Sequence, residues 1–189
     1  MIVSARKLMH TCHHQSKKLF LVPFLSLFLF SCSSDDDATV SINPLVGTWR
    51  MTAYQVETGY DFNQDGTSNT NLLAEVDCLQ NETIQINNDG TAIAISNSFL
   101  TVVAELVIGT TDQFLYTANC DNETDSFQLT WTENGSTVSF VDEDGFPTNA
   151  TIDSSTQFSF TVPQGFEILS NDGFTVVVEE NLTVVYTRQ

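Results

Sequence analysis

Leu45-Val46-Gly47-Thr48-Trp49-Arg50-Met51-Thr52-Ala53-Tyr54 is the stretch that decides the fold class. Gly47, Trp49, Met51 and Ala53 fall on one face of an extended chain, and Thr48, Arg50, Thr52 and Tyr54 on the other. A period of two is the signature of a strand with one buried face. The same pattern recurs downstream. Thr83-Ile84-Gln85-Ile86 and Thr91-Ala92-Ile93-Ala94-Ile95 flank Asp89-Gly90, a dipeptide that favours a tight hairpin turn. Phe127, Leu129 and Trp131 alternate with polar residues and face Val138 and Phe140 across Asn134-Gly135.

Phe158, Phe160 and Val162 alternate with Ser159 and Thr161, and Phe99–Ile108 reads as a strand from its valines and threonine. Residues 71–76 suggest a single helical turn. Phe174–Val178 and Leu182–Thr187 flank Glu180-Asn181 and predict a C-terminal hairpin. Many short strands without βαβ alternation imply an all-β chain, folded as an antiparallel up-and-down β-barrel of roughly eight to ten strands. A β-sandwich is the alternative.

Upstream the pattern changes. Residues 20–30 are apolar except for Pro23 and Ser26, and Arg6, Lys7, Lys17 and Lys18 precede them. The run is about a dozen residues, whereas a spanning helix needs about 20. A basic stretch, a short apolar core and a small residue before a cut is the layout of a secretory signal. Leu29-Phe30-Ser31-Cys32 resembles the lipobox of bacterial lipoproteins, and the following Ser33-Ser34-Asp35-Asp36-Asp37 resembles the surface-export signal of Bacteroidota lipoproteins. The resemblance implies a signal peptide over residues 1–31 and lipidation of Cys32 with acyl chains such as palmitate. It also implies an acidic flexible tether over residues 32–43 and an outward-facing anchor in the outer membrane. Stable anchoring needs more than one acyl chain, because a single chain binds only marginally.

Cutting before Cys32 reshapes the chemistry of the chain. His10, His13 and His14 and all the lysines lie in the removed segment. Arg50 and Arg188 remain against 24 acidic residues, a net charge of −22. A surface of that charge repels nucleic acid, which proteins hold through Lys and Arg on phosphates. Without histidine or lysine, imidazole acid–base catalysis, Ser-His triads and Schiff-base chemistry are unavailable. A hydrolase built on paired carboxylates is the remaining catalytic alternative, and no pair is marked out among the acids. The expectation is a non-catalytic protein. Cys78 and Cys120 suggest one disulfide in an exported chain, with two buried free thiols as the alternative.

Asn43-Pro44-Leu45-Val46-Gly47-Thr48-Trp49 resembles the opening strand of lipocalin-like domains, whose Gly-x-Trp signature starts the barrel. With the lipobox and the all-β pattern, residues 44–189 resemble a lipocalin-like barrel domain. The resemblance implies that Gly47, Trp49 and Arg188 close the barrel, with the arginine of the last strand packed on the tryptophan. It also implies a small apolar or glycan-related ligand. The two tryptophans, four tyrosines and many phenylalanines would line a cavity or fill a core. A surface module that binds carbohydrate or protein is the competing reading; exposed aromatics and a filled interior would mark it.

Asp61-Phe62-Asn63-Gln64-Asp65-Gly66 matches the start of an EF-hand-type loop. Alternating Asp61, Asn63 and Asp65 direct oxygens towards one centre, and calcium takes six to eight of them. The position that would supply the bidentate glutamate is Leu72, so Glu75 or Asp77 would have to complete the shell. A polar loop held by its own backbone is the alternative.

Overall fold

The computed structural model describes residues 43–189. Residues 1–31, read above as a signal peptide, Cys32, and the expected tether up to residue 42 lie outside the described residues. Eleven strands form: β1 (Gly47–Tyr60), β2 (Asn69–Asn71), β3 (Thr83–Ile86), β4 (Thr91–Ser96), β5 (Phe99–Leu106), β6 (Phe114–Asp121), β7 (Asp125–Asn134), β8 (Thr137–Val141), β9 (Pro147–Ser154), β10 (Gln157–Ser170) and β11 (Val176–Arg188). A single 3-10 turn, Leu72–Ala74, follows β2. Asn71 caps it, its side-chain oxygen accepting from the Leu73 N–H.

Eight strands close on themselves in the order β1-β3-β4-β7-β8-β9-β10-β11, and β11 pairs back onto β1. Every neighbour in that ring is antiparallel and next in chain order once β2 and the β5–β6 hairpin are set aside. The fold is therefore the all-β, up-and-down antiparallel barrel expected of a lipocalin-like chain. Closure removes the edges that an open sheet would expose.

Three strands are too long for the barrel. β1 pairs with β3 from Gly47 to Arg50, and its far half pairs with β2 at Gln55 and Tyr60. β10 pairs with β9 only from Gln157 to Ser159, and its far half, Ile168–Ser170, pairs in parallel with Val102–Ala104 of β5. A second layer thus stands on the barrel: β2, the far halves of β1, β11 and β10, then β5 and β6. The chain enters at Asn43, at the barrel end opposite this layer.

The barrel interior is filled. Trp49 and Phe158 are fully buried with ring centroids 4.9 Å apart. The Phe140 and Tyr186 rings lie 5.8 and 5.4 Å from that of Phe158. Ile86, Ala92 and Val138 are also fully buried. Each large side chain taken from water in this way contributes about 1.5–3 kcal/mol. The second layer has its own aromatic cluster, in which Tyr60 meets Phe62 at 5.1 Å, Tyr116 at 5.4 Å and Phe166 at 5.7 Å.

Cys78 and Cys120 form a disulfide with Cα atoms 5.6 Å apart. It ties the C-terminal end of β6 to the segment after the 3-10 turn. Cross-linking residues 42 apart in sequence removes chain entropy worth about 4 kcal/mol from the unfolded state.

The C-terminal hairpin differs from expectation. β11 runs unbroken through Glu180-Asn181. The turn lies at Asn171-Asp172-Gly173 instead, where Gly173 adopts φ +73°. The reason is that Glu180 has structural work inside the strand. Where β1 leaves the β11 ladder after Gln55, the Glu180 carboxylate takes over, accepting from the Glu57 and Thr58 N–H groups at 3.0 and 2.9 Å. It also accepts from the Tyr60 hydroxyl at 2.8 Å. Burial opposes charge on Glu180, but the bonds from Thr58, Tyr60 and Glu57 outweigh it and hold its carboxyl below the usual range. Burial and the same bond push the Tyr60 phenol up.

Candidate binding surface at the distal end

The barrel-closing residues meet at the entry end. Trp49 is the register partner of Arg188, and the Arg188 guanidinium carbon lies 5.7 Å from the tryptophan ring centre. The guanidinium also donates to the Val46 carbonyl at 2.7 Å and to the Pro44 carbonyl. Trp49 Nε1 donates to the Leu45 carbonyl at 2.8 Å. Gly47 sits beneath the arginine with φ +144°, and a Cβ there would lie 3.2 Å from an Arg188 guanidinium nitrogen. At this end of the barrel the Trp49 indole N–H and the Arg188 guanidinium are thus engaged by backbone carbonyls.

The Asp61–Gly66 loop is held by its own backbone. Asp61 accepts from the Asp65 and Gly66 N–H groups, Asn63 from the Asp65 N–H, and Asp65 from the Thr67 N–H. Glu75, buried, reaches in and accepts from the Phe62 N–H at 3.0 Å and from the Asn69 side-chain amide. Asp77 is exposed. Among the described residues no group of three or more His, Cys, Asp or Glu side chains converges as a metal site. The arrangement is an Asx-type loop in which the buried carboxylate satisfies backbone donors.

The other buried carboxylate is likewise committed. Glu82 accepts from the Asn97 N–H at 2.9 Å and lies within reach of the Ser98 hydroxyl at 3.4 Å. Its charge adds to burial in holding the Tyr186 phenol protonated. Two shallow depressions open to solvent. One, of about 200 Å³, lies beside Gln128, Leu129 and Asp142; the other, of about 470 Å³, lies beside Asn88, Trp131 and Glu133. The first is lined by the neighbouring carboxylates Asp142 and Glu143, the second by Glu133 alone.

The distal end is different. The parallel pairing of Ile168 with Val102 sets the tips of the β5–β6 and β10–β11 hairpins side by side. Leu106, Val107, Ile108, Phe114 and Leu115 are exposed on the first hairpin, and Phe174, Val176 and Val177 on the second. These are eight of the nine exposed large apolar residues among the described residues; Phe146 is the other. Ile108 is 99 % exposed and Phe174 is 91 % exposed. Within the strands Phe114 and Leu115, and Val176 and Val177, point to alternate faces, so the exposed apolar side chains surround the two tips, a concentration of the kind that interaction surfaces carry.

The second tip is organised by Asp172. Asp172 accepts from the Phe174 N–H at 2.9 Å, the Thr175 N–H at 3.1 Å and the Ser170 hydroxyl. These bonds, led by that of Ser170, lower its pKa to about 2. Sequence expectations do not include this surface. The alternation of Phe114, Tyr116, Ala118 and Cys120 is the signal for β6, but exposure at its tip follows from tertiary placement.

No protein-family profile, characterised protein or solved structure matches this chain.

Proposed function

We propose that this chain is a non-catalytic, lipid-anchored envelope protein of the lipocalin-like type whose apolar binding surface lies outside the barrel, at the distal end. The observation that carries the reading is one contrast. The barrel interior is occupied by Trp49, Phe158, Phe140 and Tyr186, while exposed apolar side chains gather on two adjacent hairpin tips. The lipobox-like Leu29-Phe30-Ser31-Cys32 supports the anchor, with the acidic spacer directing the domain outwards at the outer membrane. Catalysis is disfavoured because the described residues contain no histidine or lysine and the buried Glu75 and Glu82 are engaged by backbone donors.

Position supports the same reading. Asn43 is at the end opposite the tips, and β11, 13 residues long, spans roughly 40 Å at ~3.3 Å per residue. A domain tethered through Asn43 presents its apolar end away from its own attachment point.

Two experiments test this. Metabolic labelling with a palmitate analogue should mark the wild-type protein and not a Cys32→Ser chain; equal labelling contradicts the anchor. Nile red, an uncharged apolar dye, should brighten with the full-length Cys32→Ser chain and lose most of that signal in an Ile108→Asp/Phe174→Asp variant of unchanged melting temperature. An unchanged signal places the apolar site elsewhere.

A further inference from the structure

β6 runs through the distal surface and has a free edge. It pairs with β5 over eight uninterrupted register positions, from Phe99↔Asp121 to Leu106↔Phe114. Among the described strands it has no second partner. The closed barrel has no edge, and β2, which flanks β1, is three residues long. β6 is eight residues long and contains no proline and no lysine, and no bulge interrupts its pairing. Exposed edges normally carry such protections, because unpaired N–H and C=O groups are a template for another strand. One row of its side chains, Phe114, Tyr116 and Ala118, continues the aromatic cluster through Tyr116.

We infer that β6 accepts an extended segment of a partner protein as an added strand, and that this segment carries apolar residues at alternate positions and Arg or Lys at its ends. The inference rests on the distal-surface reading and names its occupant. Strand addition takes affinity from main-chain hydrogen bonds and specificity from alternate side chains. Apolar residues on the incoming strand lengthen the row of Phe114 and Tyr116.

Charge selects the ends of that segment. Glu105, Asp112 and Asp121 are exposed on the hairpin. The two arginines of the described residues are at the other end, Arg188 on Trp49 and Arg50 on the Gln80 carbonyl. The distal end therefore presents carboxylates with no cation to offset them, and complementary charge steers and selects partners. A second copy of this strongly acidic chain meets like charge, and so does an anionic membrane. The chain's own tether is acidic at Asp35-Asp36-Asp37. Fully extended from Cys32 to Asn43 it reaches at most roughly 40 Å, which the length of β11 alone consumes.

The test uses the full-length Cys32→Ser chain and a rhodamine-labelled peptide, Arg-Val-Thr-Val-Thr-Val-Arg, read by fluorescence anisotropy. The peptide should bind about tenfold or more tightly than its Glu-ended counterpart. Methylating alternate backbone nitrogens removes several hydrogen bonds and should weaken binding by about tenfold or more. Equal binding of the methylated and parent peptides, both lost in Ile108→Asp/Phe174→Asp, overturns strand addition and leaves the apolar surface standing. No binding of any peptide overturns the inference. With it, flotation on phosphatidylcholine vesicles assigns the surface to a membrane, and a concentration-dependent dimer by sedimentation assigns it to a second copy. Loss of the Nile red signal's dependence on Ile108 and Phe174 is the separate failure of the distal-surface reading.

Discussion

Ile168 of β10 lies level with Val102 of β5 in the one parallel pairing among the described strands, and both side chains are buried. That pairing brings an inserted hairpin alongside the C-terminal one and creates the distal surface. Ile168→Ala should cost about 2–5 kcal/mol as a large-to-small core change. Hydrogen exchange should show amides of residues 99–121 losing protection before those of the barrel, since β5 and β6 are held outside the closed ring. Uniform loss across all strands would contradict this account of two layers.

The barrel seal gives a second prediction. Trp49→Ala should cost about 3–5 kcal/mol. Arg188→Ala should cost less, about 2 kcal/mol, from the charged hydrogen bonds to two carbonyls and a cation–π contact of ~0.5–2 kcal/mol. Arg188→Lys should recover only part of that, because lysine lacks the planar fork that spans both carbonyls. Chemical denaturation checks all three; an unchanged midpoint in Trp49→Ala would contradict the seal.

The Phe174 turn depends on a charged Asp172. Its folded-state pKa is depressed to about 2 from the ordinary 3.8. The contribution is therefore present above pH 3.8 and is lost as the pH falls towards 2. The Phe174 and Thr175 amide resonances should titrate with a midpoint near 2, and the Asp172→Asn variant should show no such step. A midpoint near 4 would mean that the turn does not hold the carboxylate.

The Asp61 loop carries a fourth prediction. Because Asp61 caps the Asp65 and Gly66 N–H groups, Asp61→Ala should cost about 1 kcal/mol, the usual worth of such a side-chain cap. Added calcium should leave the wild-type melting temperature unchanged. A rise with calcium, absent in Asp61→Ala, would show a metal site.

Local signals made much of the barrel legible. Asp89-Gly90 and Asn134-Gly135 carry their turn type in the dipeptide, and both join the strands that flank them, with Gly90 and Gly135 at positive φ. The meeting of Trp49 with Arg188 of the last strand is legible only through the resemblance to lipocalin-like domains, and the two are register partners. Glu180-Asn181 misleads because a polar pair inside an apolar run reads as a turn, whereas the carboxylate is needed by a different strand. The far half of β10 is hidden by Pro163, which sits in the bulge between Val162 and Phe166 where no ladder partner is required. The distal surface is hardest to read. Ile108 and Phe174 look like core residues in sequence, and only the placement of two hairpins leaves them in water.

Backbone amide chemical-shift mapping of the full-length Cys32→Ser protein with Nile red tests the location of binding most directly. The account predicts perturbations confined to residues 106–115 and 171–177. Perturbations centred on the barrel interior, at Trp49, Phe158 and Tyr186, would contradict it.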